Sequence, residues 1–377
     1  MFEKILFMAD CHIRSRTWTN FMQLQGDAYC ALQKVSDQLA AMKSPPKVLV
    51  VGGDWFDGNR PSSWDVRETF RFLSQFELVL FVNGNHDKVE PSFLEILQGL
   101  GCTNVRVENL QNQPGRVLQF DNQFFIAGLN WVENADQLKA AIREIAVEYK
   151  SLGTDQPLYL VLHTSFQHLL GYEGSYKLTI QDVEEIFGDS QVRVLVGDIH
   201  TRDLTHISNM NGSYVHSPGS LYPRSFDKVN EEYAVSLIDT GTGEIRDLDC
   251  RVRLYYRYDY KSRDELDQLV EIAKQESKDL PLPPFIRVVV PKDSEVKILQ
   301  TDYEDVVIQV VTEDVEDQEE VTARQLQEQY TLAQAVAEEA NEDDDIRDLA
   351  VALISADDPL AEIEGWLKFW NVVRSTI

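Results

Sequence analysis

Five short, almost wholly apolar runs constrain this chain most: Ile5 to Met8, Val48 to Val51, Leu78 to Val82, Leu158 to Leu162 and Val192 to Val196. Only Arg193 interrupts them. Runs of this length and composition suit strands buried on both faces. The amphipathic stretches Phe21 to Met42 and Trp64 to Gln75 read as helices between the early runs, which makes an α/β pattern. Each run ends in polar residues: Asp10 and His12, then Gly53-Asp54, Gly84-Asn85-His86-Asp87, His163, and Gly197-Asp198 with His200. Open α/β sheets bind ligands beyond the carboxyl ends of their strands, so all five would bring polar groups to one edge.

The remaining sequence sets the organisation. At 377 residues the chain has room for a large core and one or two smaller parts. The first 250 residues carry the strand-end pattern. From 251 to 300 the character changes. A strand-like Leu254 to Tyr260, a helix opened by Ser262 with Glu265 in capping-box position, and a β-like Phe285 to Val290 read as a small α+β domain. Residues 301–377 are acidic and read as mostly helical, with Thr322 and Gln325 as a capping box and a Trp366, Trp370 stripe at helical spacing. Of the net charge of −28, this last segment carries −17 and the first 300 residues −11. Acidity concentrated there suits a protein-binding or solvating segment and leaves nucleic acid open to the rest. Cys11, Cys30, Cys102 and Cys250 lack metal or pairing spacing, no signal-peptide pattern opens the chain and no apolar run is long enough for a membrane span. The expected compartment is the cytoplasm.

Taken singly, a histidine at a strand end is as a rule hydrogen-bonded scaffolding, and a Gly-Asp pair a turn. Asp10-x-His12, Gly53-Asp54-x-x-Asp57, Gly84-Asn85-His86-Asp87, His163 and Gly197-Asp198-x-His200 in that order, each after an apolar run, form a joint pattern. Its residue types suit phosphoester hydrolysis. Two divalent metals about 3.5–4 Å apart neutralise an anionic ester, activate water and support the leaving oxygen. They require a bridging carboxylate and a mixed shell of imidazole, carboxylate and amide, a set that favours manganese, iron or zinc over calcium.

In these motifs the chain resembles the calcineurin-like metallophosphoesterases, and among them the SbcD-like nucleases of double-strand-break processing. The resemblance covers about residues 1 to 240. It implies a four-layer α/β-β/α sandwich with a small α+β cap and a helical C-terminal tail. It also implies two divalent metals, most simply manganese with magnesium as an alternative. Asp10, His12, Asp54 and His200 would hold one ion; Asp54 would bridge to a second held by Asn85, His163 and Asp198. His86 would protonate or stabilise the leaving oxygen and Asp87 would orient its imidazole. The chain departs from the family at Asp198, where Gly-His-x-His is usual; the alternative to a ligating Asp198 is a weakened second site.

The motifs alone do not choose a substrate. Ser217-Pro218-Gly219-Ser220 followed by Arg224 resembles the Pro-Gly-Ser segment of the nucleases. Ser220 and Arg224 there could hold a phosphate backbone, or the segment could be a structural loop. Arg14, Arg16 and Trp18 after His12 either face the phosphate or cover the sheet edge, and Trp55 and Phe56 read as core packing. The expected partners, by resemblance, are DNA, an SbcC-like coiled-coil ATPase subunit and a second copy of the chain. No G-x-x-x-x-G-K-[ST] loop is present, so any ATP dependence would come from the ATPase subunit. The rivals are a stand-alone metallophosphatase or cyclic phosphodiesterase, and a scaffold with a decayed site.

Overall fold

The structure, a computed structural model, describes residues 3–312 except 15–25, 59–60, 88–90, 101–104, 114–115, 121–123, 168–175, 211, 225–228, 230–231, 293–297, 299–302 and 304. The strands are β1 (Lys4–Met8), β2 (Val48–Val51), β3 (Leu78–Phe81), β4 (Arg106–Asn109), β5 (Leu118–Phe120), β6 (Phe124–Leu129), β7 (Leu158–His163) and β8 (Val192–Gly197). They continue as β9 (Asp203–His206), β10 (Tyr214–Ser217), β11 (Ala234–Asp239), β12 (Ile245–Asp249), β13 (Tyr255–Asp259), β14 (Phe285–Val290) and β15 (Val307–Thr312). The helices are α1 (Asp27–Ala40), α2 (Ser63–Leu73), α3 (Phe93–Leu100), α4 (Ala135–Ser151), α5 (Ile180–Phe187) and α6 (Arg263–Glu276).

Two six-stranded sheets, ordered β12-β11-β1-β2-β3-β4 and β5-β6-β7-β8-β10-β9, form the larger part. The stretches β1–β4 and β6-β7-β8-β10 are parallel, with antiparallel strands at the margins. Alternation along the strands produces the layers. In β1, Ile5 and Phe7 face the second sheet, whereas Leu6 and Met8 face α1 and α2. In β7, Tyr159 and Val161 face the first sheet, whereas Leu158, Leu160 and Leu162 face α4 and α5. The result is helix, sheet, sheet, helix. Each fully buried Leu, Val or Phe contributes about 1.5–3 kcal/mol. The five apolar runs are β1, β2, β3, β7 and β8, and Trp55 and Phe56 lie in the core.

Arg193 in β8 is the instructive exception. It points between the sheets, 2% exposed, and donates to the hydroxyl of Tyr159 and the carbonyls of Thr240 and Thr242. The turn after β11 thus supplies the acceptors that a buried guanidinium requires.

Where sequence and structure differ, local causes are visible. Helix α1 begins at Asp27, not Phe21, because Gly26 is left-handed at φ 83°; residues 21–25 lie outside the described residues. Helix α2 starts at Ser63 behind a capping box between Ser62 and Asp65. The reading of mostly helical structure beyond 300 fails at β15, whose Val307-Ile308 and Val310-Val311 make it strand-like. Thr322, Gln325, Trp366 and Trp370 lie outside the described residues.

The chain divides into two compact units. One is the sandwich with the chain to Tyr256, Val270–Phe285 and Asp305–Val307; the other takes Arg257–Leu269 and the described residues of Ile286–Glu304 and 308–312. The second contains most of a three-stranded sheet, β13-β14-β15. Inside it the Tyr303 hydroxyl donates to Asp267 at 2.7 Å under the Arg263 guanidinium. Helix α6 is capped by Ser262 Oγ, which accepts from the Glu265 N–H. Among the described residues no helix is long and apolar enough to cross a membrane, and Cys11, Cys30 and Cys250 are free thiols.

Candidate metal centre

The carboxyl ends of β1, β2, β3, β7 and β8 meet at one edge of the sandwich, and the backbone there is forced into unusual conformations. Asp10 (φ 49°), His12 (φ 41°), Asp54 (φ 51°) and Asp198 (φ 82°) are all left-handed. Such residues cost about 1–3 kcal/mol each and persist where function requires them. Three glycines permit the close approach. A Cβ on Gly53 would lie 2.3 Å from His163 Nδ1, one on Gly84 2.0 Å from Asp54 Oδ1, and one on Gly197 2.1 Å from the Gly52 carbonyl.

The ligand atoms then converge in two groups. His12 Nε2 lies 3.2 Å from His200 Nε2 and 4.0 Å from Asp10 Oδ1, and His200 Nε2 lies 3.8 Å from Asp10 Oδ1. On the other side His163 Nε2 is 3.0 Å from Asn85 Oδ1 and 3.8 Å from Asp198 Oδ1. Asp54 Oδ2 stands between them, 3.7 Å from His12 Nε2 and 3.5 Å from His163 Nε2. Among the described residues three sets are able to hold a metal ion: Asp10, His12 and His200; Asp10, Asp54 and His163; and His12, Asp54 and His86.

Electrostatics fit two cations. Burial holds the His12 imidazole down at about 4 and pushes His200 well below its ordinary value. Two neutral imidazole nitrogens facing each other at 3.2 Å suit a shared cation, which would engage both lone pairs. Burial would raise Asp54, but His163, then His12 and His86, hold its carboxyl below the usual range. Burial opposes a charged His163, yet Asp54, Asp10 and Asp198 raise it to about 10. Its Nδ1 donates to the Gly52 carbonyl at 2.7 Å, so Nε2 is the nitrogen a metal would take in exchange for a proton. Burial, reinforced by Asp54, lifts both Asp10 and Asp198. Divalent cations would relieve this crowding of carboxylates, and imidazole, carboxylate and amide oxygen are the donors they take.

All seven expected ligands thus come together. Asp87 behaves differently from its expected role. Its carboxylate accepts the N–H groups of Asp54 and Gly84, both at 2.9 Å, which draws it under the β3 turn. Burial and the Asp54 charge raise it to about 6. The contact to the His86 ring comes instead from the Asp57 carbonyl, 3.0 Å from Nδ1. A carbonyl only accepts, so Nδ1 carries a proton and Nε2, 4.0 Å from Asp54, is the nitrogen that can exchange one. Ser220 is buried; its N–H donates to the His200 carbonyl at 3.1 Å and its hydroxyl to the Tyr222 carbonyl at 3.0 Å. Gly219, at φ 76°, lets this turn pack against the backbone of His200 to Arg202. Arg224 and Arg14 both pair with Asp57, whose Oδ1 is 3.4 Å from His12 Nδ1. This convergence was hidden in the sequence because its members come from three distant loops. Arg16, Trp18 and His168 lie outside the described residues. His216 bonds to the Asp203 carbonyl and Ser236 inside the sandwich, a structural role.

A sandwich of two mixed sheets with paired His/Asp/Asn sets at its carboxyl edge defines a metal-dependent phosphoesterase. The calcineurin-like phosphoesterase family matches residues 3–202, over half of the 377-residue chain, and the chain belongs to that family. No curated protein matches it.

The usual histidine is Asp198 here, and its side chain is 30% exposed at the mouth of the site. Asp198→His should keep divalent-metal-dependent hydrolysis of a simple phosphodiester within about tenfold of wild type. Asp198→Ala should lower it about a hundredfold. Equal, near-normal rates for both would mean that this side chain does not ligate.

Proposed function

We propose that this chain is the nuclease subunit of an SbcCD-like recombination and repair complex, hydrolysing DNA phosphodiesters with manganese. The observation that carries the reading is the α+β module of β13–β15 and α6. It continues the chain beyond the phosphoesterase fold, in the place where SbcD-like nucleases have a DNA-contacting cap and where a minimal phosphatase needs nothing. The Pro-Gly-Ser segment contributes its sequence pattern only, because the buried Ser220 gives its N–H and hydroxyl to the His200 and Tyr222 carbonyls and so acts as a structural turn, not as the phosphate contact expected of it. An SbcC-like ATPase and a second copy of the chain are the partners this reading calls for.

Two divalent ions would supply charge neutralisation for the ester and a water acidic enough to attack it. The protein provides the rest. Asp54 spans both ligand groups and fixes their separation. Its Oδ1 accepts the His86 N–H at 2.9 Å, which ties the proton donor to the bridging carboxylate. His86, 39% exposed, presents Nε2 to the leaving oxygen.

The test is manganese-dependent cleavage of end-labelled duplex and single-stranded DNA beside bis(p-nitrophenyl) phosphate, by wild type and His86→Ala. The expected result is strong preference for DNA and a loss of about a hundredfold or more in the variant. Cleavage of the small ester alone would instead identify a stand-alone phosphatase or cyclic phosphodiesterase.

A further inference from the structure

Past the ends of β1 and β2 the two segments keep pairing, and this brings Asp57 beside His12. The N–H of His12 donates to the Asp54 carbonyl at 3.0 Å and that of Ile13 to the Trp55 carbonyl at 2.8 Å, and Ile13 forms a parallel bridge with Phe56. Trp55 and Phe56 are buried in the core, which anchors the backbone leading to Asp57. Asp57 itself stands at the rim, its side chain 21% exposed.

Both ends of Asp57 meet an imidazole. Its Oδ1 lies 3.4 Å from Nδ1 of His12, and its backbone carbonyl lies 3.0 Å from Nδ1 of His86. Neither oxygen donates: a carbonyl only accepts, and so does a carboxylate ionised between Arg14 and Arg224. Each contact therefore puts the ring proton on Nδ1 and leaves the lone pair on Nε2. In His12 that nitrogen faces His200 and Asp54; in His86 it is the nitrogen that would serve the leaving oxygen. Histidines that bind metals give their other N–H to such acceptors, which fixes tautomer and ring direction. The two rings meet edge to face at 5.0 Å.

The surrounding residues hold Asp57 and His12 in this arrangement. Arg14 donates to Asp57 Oδ2 and Arg224 to Oδ1, and the Tyr222 hydroxyl donates to the His12 carbonyl at 2.7 Å. Among the described residues Asp57 belongs to none of the sets able to hold a metal ion, so any effect it has on the reaction passes through the two rings.

We infer that Asp57 is a positioning residue for both halves of the reaction: its carboxylate orients the metal ligand His12, and its backbone carbonyl orients the proton donor His86. The second half rests on the role proposed above for His86; the choice of substrate does not enter.

The experiment uses the full chain, with manganese as the probe ion, and compares wild type, Asp57→Asn, His86→Ala and the double variant. One readout is manganese affinity by calorimetric titration. The other is the ratio of the rates on bis(p-nitrophenyl) phosphate and diphenyl phosphate at saturating manganese. Phenolate is the poorer leaving group and depends more on a proton donor. Asparagine keeps the size of Asp57 but accepts through one oxygen, so it cannot serve His12 and both arginines together. Asp57→Asn should weaken manganese binding about tenfold or more. It should also raise the ratio about fivefold or more, as His86→Ala does. In the double variant the ratio should rise no further than in His86→Ala, because both changes act on one proton transfer. A misfolded fraction lowers both rates equally and leaves the ratio unmoved. Wild-type manganese affinity or a wild-type ratio in Asp57→Asn overturns the double role. The His86→Ala control keeps that failure apart from failure of the proton donor. A ratio raised in His86→Ala but not in Asp57→Asn keeps the donor and rejects the positioning. A ratio unmoved in His86→Ala rejects the donor, and the double role with it.

Discussion

Asp54→Asn should reduce manganese-dependent phosphodiester hydrolysis by about a thousandfold or more, roughly 4 kcal/mol of barrier. Asparagine is the informative replacement. It has nearly the same shape as aspartate and tolerates the left-handed backbone at φ 51° better than most residues, so the variant isolates the charge. The native Oδ2 lies 3.7 Å from His12 Nε2, 3.5 Å from His163 Nε2 and 4.0 Å from His86 Nε2. Among the described residues no other carboxylate lies within 4.0 Å of all three imidazoles. Without its charge neither ligand group keeps its shared anion, and bound manganese should fall from two ions per chain to one or fewer. Manganese should also raise the melting temperature of wild type much more than that of the variant, because a ligand stabilises the state that binds it. Two bound ions and a rate within tenfold of wild type would show that Asp54 is not the bridge.

The sequence made that site legible because its ligands follow apolar runs, and such runs are readable without tertiary information. β1, β2, β3, β7 and β8 are readable for this reason, and with them the strand-end positions of Asp10, His12, Asp54, Asn85, His163, Asp198 and His200. Other features depend on distant contacts. β15 looked like part of a helical tail because its neighbours are acidic, although its own residues are β-branched. The true start of α1 depends on one dihedral angle at Gly26. Asp87 next to His86 suggested a dyad, but two backbone amides compete for its carboxylate and win. The Arg14–Asp57–Arg224 cluster joins residues up to 210 positions apart, and no spacing rule would group them.

The largest expected effect on stability lies elsewhere in the sandwich unit. Arg253→Met should destabilise the protein by about 3–5 kcal/mol, because it strands a buried carboxylate. Asp27, in the first turn of α1, is fully buried; its Oδ2 accepts from Arg253 Nη2 at 2.9 Å and its Oδ1 from the Tyr255 hydroxyl at 3.1 Å. Arg253 Nη1 also donates to the Pro283 carbonyl at 2.8 Å. At about 2–4 °C per kcal/mol for a domain of this size, the melting temperature should fall by about 10 °C. Asp27→Leu/Arg253→Met should recover most of the loss, since removing both charges replaces an uncompensated ion with apolar packing. The remainder is the loss of the hydrogen bonds that Tyr255 and Pro283 make to this pair, about 1 kcal/mol each. Manganese content per folded chain should stay at wild-type level in both variants, because the ligands are carried by strand ends and not by this ion pair. A loss under about 1 kcal/mol for Arg253→Met would mean that water reaches Asp27 in solution. A double variant no better than the single one would mean that the hydrogen-bond network, and not the lone charge, holds the start of α1 to the chain at Arg253.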